Sequence, residues 1–267
     1  MATTSSAAVG SDMRQGELWG ARADDWAEVE EQQLPTYEEG IRRAGVKAGD
    51  RVLDVGCGSG VFLRAVTDLG GRAYGLDASR GLLRVARARV PEADLRVGDL
   101  QSLPHEDDFF DVVTGFNSFF FADDMVAALR EAARVAKPGA PVLIQVWGRP
   151  ERCELRPMLA AAGSLRPPQP EPAAAPPPLW QPGVLEQVAS EAGLAPGESF
   201  DLSTSFEFAD ESALLRNLLS PGPVSEAVRH SGERAVADAT LGALAPHRRP
   251  DGSYRLENEW HFLLTRA

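Results

Sequence analysis

The residues of this chain best suited to chemistry are three alternating glycines, Gly56, Gly58 and Gly60, with carboxylates on either side of them at Asp54 and Asp77. Glycine lacks Cβ and reaches backbone angles closed to other residues, so a run of this kind brings main-chain amides close to a bound molecule. The preceding Val52-Leu53-Asp54-Val55 reads as a buried strand, and the residues after Gly60 read as a helix. Asp77 closes a second strand-like run, Ala73-Tyr74-Gly75-Leu76-Asp77. It falls about twenty residues after the first glycine, where an open α/β sheet sets an acid against a ribose diol. The two features together predict a ligand that contains a nucleoside.

The glycine spacing narrows that ligand. A dinucleotide fold wants G-x-G-x-x-G with a helix N-terminus aimed at a pyrophosphate. Here Val61 stands where the third glycine or alanine is due, and Asp54 precedes the turn. A carboxylate beside a pyrophosphate is repelled, whereas beside a molecule bearing an ammonium and a sulfonium it is welcome. The pattern favours S-adenosylmethionine over NAD.

Positioning these groups requires alternating strands and helices. Strands are expected near 51–55, 73–77, 94–98, 111–116 and 141–147, with helices near 61–69, 80–89 and 123–136. Lys137-Pro138-Gly139 stops the last of these helices. Beyond Trp147 the reading gives an Arg-rich helical piece at 151–165 and a stiff, proline-dense connection from Pro167 to Pro182. It then gives a helix at 183–192, a strand near 199–208, helical segments across 210–245 and a last strand near 253–265.

With these motifs in order, the segment from about Gly45 to Trp147 resembles the class I S-adenosylmethionine-dependent methyltransferases, in their small-molecule, quinone-biosynthesis-like and actinobacterial natural-product branch. The resemblance rests on Val52 to Gly60, Gly75-Leu76-Asp77-Ala78-Ser79, Val97-Gly98-Asp99-Leu100, Phe110 to Asn117 and Glu131 to Gly139. It implies an α/β, Rossmann-like fold: a seven-stranded, mostly parallel sheet with an antiparallel last strand and helices on both faces. Segments 17–44, 148–181 and 209–252 would form a helical lid over a core at 45–147, within a single domain at 13–267 behind a flexible tail at 1–12.

Residue roles follow from the same resemblance. Gly56, Gly58 and Gly60 would pass under the methionine part of the cofactor, with Cys57 and Ala78 completing the binding set. Asp77 would accept both ribose hydroxyls, a task suited to charge-assisted hydrogen bonds. Asp99 would accept from the adenine amine, Leu100 would offer its amide to a ring nitrogen, and Asn117 would meet the methionine end. Asp54 serves either as a ligand contact or as a structural acid holding the loop.

On the acceptor side, Trp19, Trp26, Tyr37, Phe120 and Trp147 are candidates for an aromatic wall, and Arg152 for holding a carboxylate. No catalytic base stands out. His230 and His247 lie in the lid and are weak candidates, each read more readily as a surface histidine. His261, alternating along the last strand, is read as structural.

Composition excludes other classes. The 267 residues carry a net charge of −12, with 39 acidic and 27 basic side chains and no basic cluster, which argues against nucleic acid. The fourth strand ends in Phe116-Asn117-Ser118-Phe119, without the Asn/Asp-Pro-Pro-aromatic motif of amino-methyltransferases acting on a flipped adenine. Two cysteines build neither a disulfide framework nor a zinc site, so no metal is expected. Met1 to Gly10 holds no apolar run, so a cytoplasmic protein without membrane attachment is expected, as a monomer or homodimer. The expected activity is methyl transfer to a small organic acceptor, in secondary metabolism. The alternatives are a binding protein of the same fold that transfers no methyl, and an NAD-dependent oxidoreductase.

Overall fold

The computed structural model describes residues 11–168 and 177–267. Its frame is a seven-stranded sheet in the order β3-β2-β1-β4-β5-β7-β6. The strands are β1 (Arg51–Val55), β2 (Arg72–Asp77), β3 (Asp94–Val97), β4 (Val112–Phe116), β5 (Pro141–Trp147), β6 (Ala195–Phe208) and β7 (Tyr254–Arg266). The first five pair in parallel, while β7 runs antiparallel to both β5 and β6. This is the mostly parallel sheet with an antiparallel last strand that the sequence predicts.

Because side chains alternate across a strand, neighbours in sequence enter opposite cores. Val52, Val112 and Leu143 face α3 (Leu34–Ala44) and α4 (Val61–Asp68), packing with Ala44, Leu63 and Val66. Leu53, Val113 and Ile144 face α6 (Met125–Val135) and α8 (Val184–Glu191), packing with Leu129, Ala132 and Leu185. Helices thus cover both faces, as strands apolar on both sides demand. Between β2 and β3 lies α5 (Arg80–Arg89), started by Ser79, whose hydroxyl accepts from the Leu82 amide at 3.2 Å.

The remaining helices gather on one end. They are α1 (Ser11–Gly20), α2 (Ala23–Glu30), α7 (Arg156–Gly163), α9 (Glu211–Leu218), α10 (Gly222–Ser231) and α11 (Glu233–Leu244). The helix boundaries expected near 123–136 and 183–192 fall within two residues of those observed. The sixth strand begins earlier than the expected 199, at Ala195. Ala195-Pro196-Gly197 reads locally as a turn, yet an edge strand tolerates proline, and the ladder absorbs the segment in a register shift between Pro196 and Ser199. The tail expected over 1–12 lies outside the described residues up to residue 10, and residues 11 and 12 open α1. Of the proline-dense connection, residues 169–176 lie outside the described residues. Among the described residues, no helix is long and apolar enough to cross a membrane.

Candidate active site

Strand order reverses beside β1, whose neighbours β2 and β4 continue the sheet in opposite directions. A crevice opens at the carboxyl ends of strands at such a point. Here it holds a cavity of about 220 Å³ whose floor includes Gly56, Gly58, Asp77, Ala78, Leu100 and Asn117. Its roof comes from the gathered helices: Gln15 and Trp19 of α1, Trp26, Val29 and Glu30 of α2, Met158 and Leu159 of α7. Ring packing fixes part of the wall. Trp19 stands edge-on to Trp26 with centroids 4.8 Å apart and edge-on to Phe121 at 5.7 Å, and Trp147 lies 4.6 Å from Trp260.

The glycine run does more than bare its backbone to a ligand. Gly56 and Gly58 have positive φ, +82° and +54°, and the space a Cβ would occupy is already taken by the chain itself. At Gly56 that Cβ would fall 2.4 Å from the Ser118 Cβ, and at Gly58 2.9 Å from the Glu30 carboxylate oxygens. Gly60 lies outside the cavity lining, and its Cβ would meet Ala86 at 3.1 Å, so it lets α4 pack against α5. Cys57 is also outside the lining; its thiol is buried, and desolvation pushes its pKa up.

Asp77 sits on the cavity rim with one carboxylate oxygen accepting from the Gly58 amide at 2.9 Å and the other from the Ser79 amide at 2.7 Å. Burial raises its pKa to about 6 against the pull of those two amides. Asn117 adopts φ +53° at the end of β4, held by its amide on the Gln145 carbonyl at 3.0 Å. Its side-chain oxygen and that of Gln15 are both buried, without a hydrogen-bond partner among the described residues, on residues that line the cavity.

Several expected site residues lie elsewhere. Asp54 is 3 % exposed and absent from the lining; it accepts a 2.8 Å hydrogen bond from the Thr114 hydroxyl, which favours its structural reading. Desolvation lifts its pKa to about 8. Asp99 stands beside the lining residue Leu100 but does not line the cavity, because its carboxylate turns back to accept from the Gln101 amide at 3.0 Å. Arg152 is exposed and pairs with Glu259 at 3.5 Å, outside the cavity. His230 is exposed at the end of α10, and His247 faces Glu154 at 3.6 Å. Neither histidine reaches the cavity, so neither stands where a base must. His261 bonds Asp201 at 2.7 Å on the outer strands. Trp19, Trp26, Tyr37, Phe120 and Trp147 all line the cavity.

One group escaped the sequence reading. Glu30 is 3 % exposed, lines the cavity and accepts from the Ser59 amide at 2.8 Å. Burial pushes its pKa up to about 7. In the acid-rich run Asp24-Asp25-Trp26-Ala27-Glu28-Val29-Glu30-Glu31 nothing local sets Glu30 apart from its neighbours, yet Ala23, Ala27 and Glu30 share one helical stripe, and that stripe is buried.

The Asp54 environment carries a prediction about pH. An acid whose folded pKa lies above its unfolded value contributes stability below the unfolded value and loses it as pH rises through the folded one. Between pH 5 and pH 9 the wild type will therefore lose stability that Asp54→Asn retains, since asparagine still accepts from Thr114. In thermal melts the variant should gain about 5 °C on the wild type across that range. Parallel melting curves would refute the buried-acid assignment.

Comparison with known proteins converges on one family. A family model described as a methyltransferase domain matches residues 53–144. Demethylmenaquinone methyltransferase of Renibacterium salmoninarum is 36 % identical over 110 residues, which cover 41 % of this chain and 46 % of that one, so the match spans less than half of that relative. An uncharacterized protein of Mycobacterium tuberculosis is 31 % identical over 248 residues, covering 85 % of this chain and 84 % of its own. Among solved structures, the [4+2]-cyclase SpnF superposes with a TM-score of 0.55 at 20 % identity, covering 87 % of this chain and 80 % of its own.

Proposed function

We propose, for a chain that belongs to the class I S-adenosylmethionine-dependent methyltransferases, that it transfers a methyl group from S-adenosylmethionine to a small, largely apolar acceptor beneath the helical lid. The observation that carries this reading is the Gly56-to-Gly58 loop with Asp77 at its edge, opening into a cavity walled by Trp19, Trp26, Phe120 and Trp147.

The residues present fit such a donor. Asp77 has lone pairs beyond those given to Gly58 and Ser79, enough to accept both ribose hydroxyls. Leu82 and Leu100 offer an apolar slot beside it for the adenine. The partnerless side-chain oxygens of Asn117 and Gln15 await a donor, which a methionine ammonium supplies. When bound, S-adenosylmethionine supplies an electrophilic methyl on a positively charged sulfur.

The chain's own contribution is placement and dryness. The aromatic wall excludes water and orients a flat acceptor, and such orientation alone removes several kcal/mol from a bimolecular barrier. The apolar lining and the acidic surface suit an uncharged organic acceptor better than a nucleic acid. We read the lid and the core as one catalytic unit, in a cytoplasmic protein acting alone or as a homodimer in secondary metabolism.

Because the fold is shared with a [4+2]-cyclase, methyl transfer itself has to be measured. In calorimetry the protein should bind S-adenosylmethionine and show no heat with NAD. With methyl-labelled donor, the label should pass to apolar phenols or enols rather than to nucleic acid. Binding of NAD in place of S-adenosylmethionine would overturn the reading. Donor binding with no label leaving it across a broad acceptor panel would favour a binding protein that transfers no methyl.

A further inference from the structure

The charge distribution of the cavity is one-sided. Among the described residues its lining holds no lysine, arginine or histidine, and its carboxylates are Asp77 and Glu30. Asp77 lies at the ribose end, already tied to two amides. Asp54, the acid expected opposite the cationic end of the donor, is turned into the sheet against Thr114. That leaves one carboxylate for a sulfonium and an ammonium, and the lid supplies it.

We propose that Glu30, carried on helix α2, is the counter-charge to the cationic sulfonium and ammonium half of the donor. The inference rests on the S-adenosylmethionine reading above. Its geometry is direct. The Glu30 carboxylate lies over Gly58, close enough that a Cβ there would come within 2.9 Å of both its oxygens, and it holds the next amide, Ser59, at 2.8 Å. Ser59 and the Tyr37 phenol take some of its roughly four acceptor positions, and what remains faces the cavity it lines.

The groups around Glu30 decide its protonation. Arg89 of α5 approaches from one side, bonding the Ser59 carbonyl at 2.7 Å and Glu31 at 2.7 Å, and favours the charged form. Asp77 raises the Glu30 pKa, Glu30 in turn raises that of Asp54, and the Tyr37 phenol faces Glu30 from α3. Burial outweighs Arg89 and Ser59 and holds the acid near pH 7 when no cation is present. A cation placed beside it reverses that balance, so the donor should expel a proton on binding. Affinity should then rise with pH up to about 7 and level off above it.

The test uses the full chain with two probes, S-adenosylmethionine and 5′-methylthioadenosine; the second has the same nucleoside but neither positive charge. Titrations at pH 7 in buffers of different ionisation enthalpy should show clearly more proton release with S-adenosylmethionine than with methylthioadenosine, whose ribose draws only on the small protonated fraction of Asp77. Glu30→Gln keeps an oxygen for the Ser59 amide, and at pH 7 its melting temperature should equal or exceed that of the wild type, since it loses no stability to ionisation of a buried acid. It should bind S-adenosylmethionine at least tenfold more weakly, bind methylthioadenosine within twofold of the wild type, and lose that extra proton release. Equal weakening for both probes would reduce Glu30 to a support for the loop. Unchanged donor affinity with slower methyl transfer would make it a base acting on the acceptor. Either result overturns the proposal, whereas a wild type that binds neither probe fails the methyl-donor reading itself.

Discussion

Asp77→Ala will bind S-adenosylmethionine about 10- to 150-fold more weakly than the wild type, corresponding to roughly 1.5–3 kcal/mol for a lost charge-assisted hydrogen-bond partner. The loss has two parts. The ribose diol loses its acceptor, and the Gly58 and Ser79 amides, both held by this carboxylate, lose theirs. Asp77→Asn separates them, because an amide oxygen still accepts one backbone bond while the charge is gone. Direct titration of both variants reads the effect without any acceptor, and unchanged affinity in Asp77→Ala would refute the ribose assignment. Core packing does not involve this side chain, so the variants should stay folded.

Gly56→Ala should strike the fold as well as the site. The residue sits at φ +82°, a conformation costing an alanine about 1–2 kcal/mol. Its new methyl would fall 2.4 Å from the Ser118 Cβ, and relieving that overlap requires moving the end of β4, at about 1–3 kcal/mol more. A total of about 2–5 kcal/mol should lower the melting temperature by roughly 4–20 °C in thermal unfolding. Gly45→Ala is the control. Gly45 ends α3 at φ +71° with nothing within 4 Å of its would-be Cβ, so it carries the strain without the collision. Equal losses in the two variants would show that Ser118 gives way freely.

How much of this was legible in the residues follows from where the information lies. Helix α5 runs over Arg80–Arg89 as expected, because Ser79 caps it and its apolar positions recur with helical period. Strand β1 and the cavity floor were equally readable, since glycine spacing and the position of Asp77 are local patterns with local causes. The roof was not. Glu30, Gln15, Met158 and Leu159 come from α2, α1 and α7, and tertiary packing alone brings those segments together. Glu30 is hidden in a run of acids from which nothing local sets it apart. For Asp54, proximity to the loop left a ligand contact and a structural acid both open, and strand alternation, which points it at Thr114, favours the second. Asp99 follows a motif by position, and in the structure one of its oxygens accepts from the Gln101 amide beside the cavity.

The helices over the cavity share the apolar core of the sheet and add ion pairs at their rim. Along this outer edge, Arg14 and Arg166 both pair with Glu226, Arg22 pairs with Glu233, and Arg216 pairs with Glu28 at 2.9 Å, joining α1 and α2 to α9, α10 and α11. Most of these partners are half-exposed, where dissolved ions compete and each pair contributes at most about 1 kcal/mol. A rise in ionic strength thus weakens these outer pairs, while Leu214, Leu218, Val224 and Val236 of the same helices stay packed in the apolar core they share with Val52 and Leu143. Dissolved salt should therefore loosen the rim of this layer without detaching it.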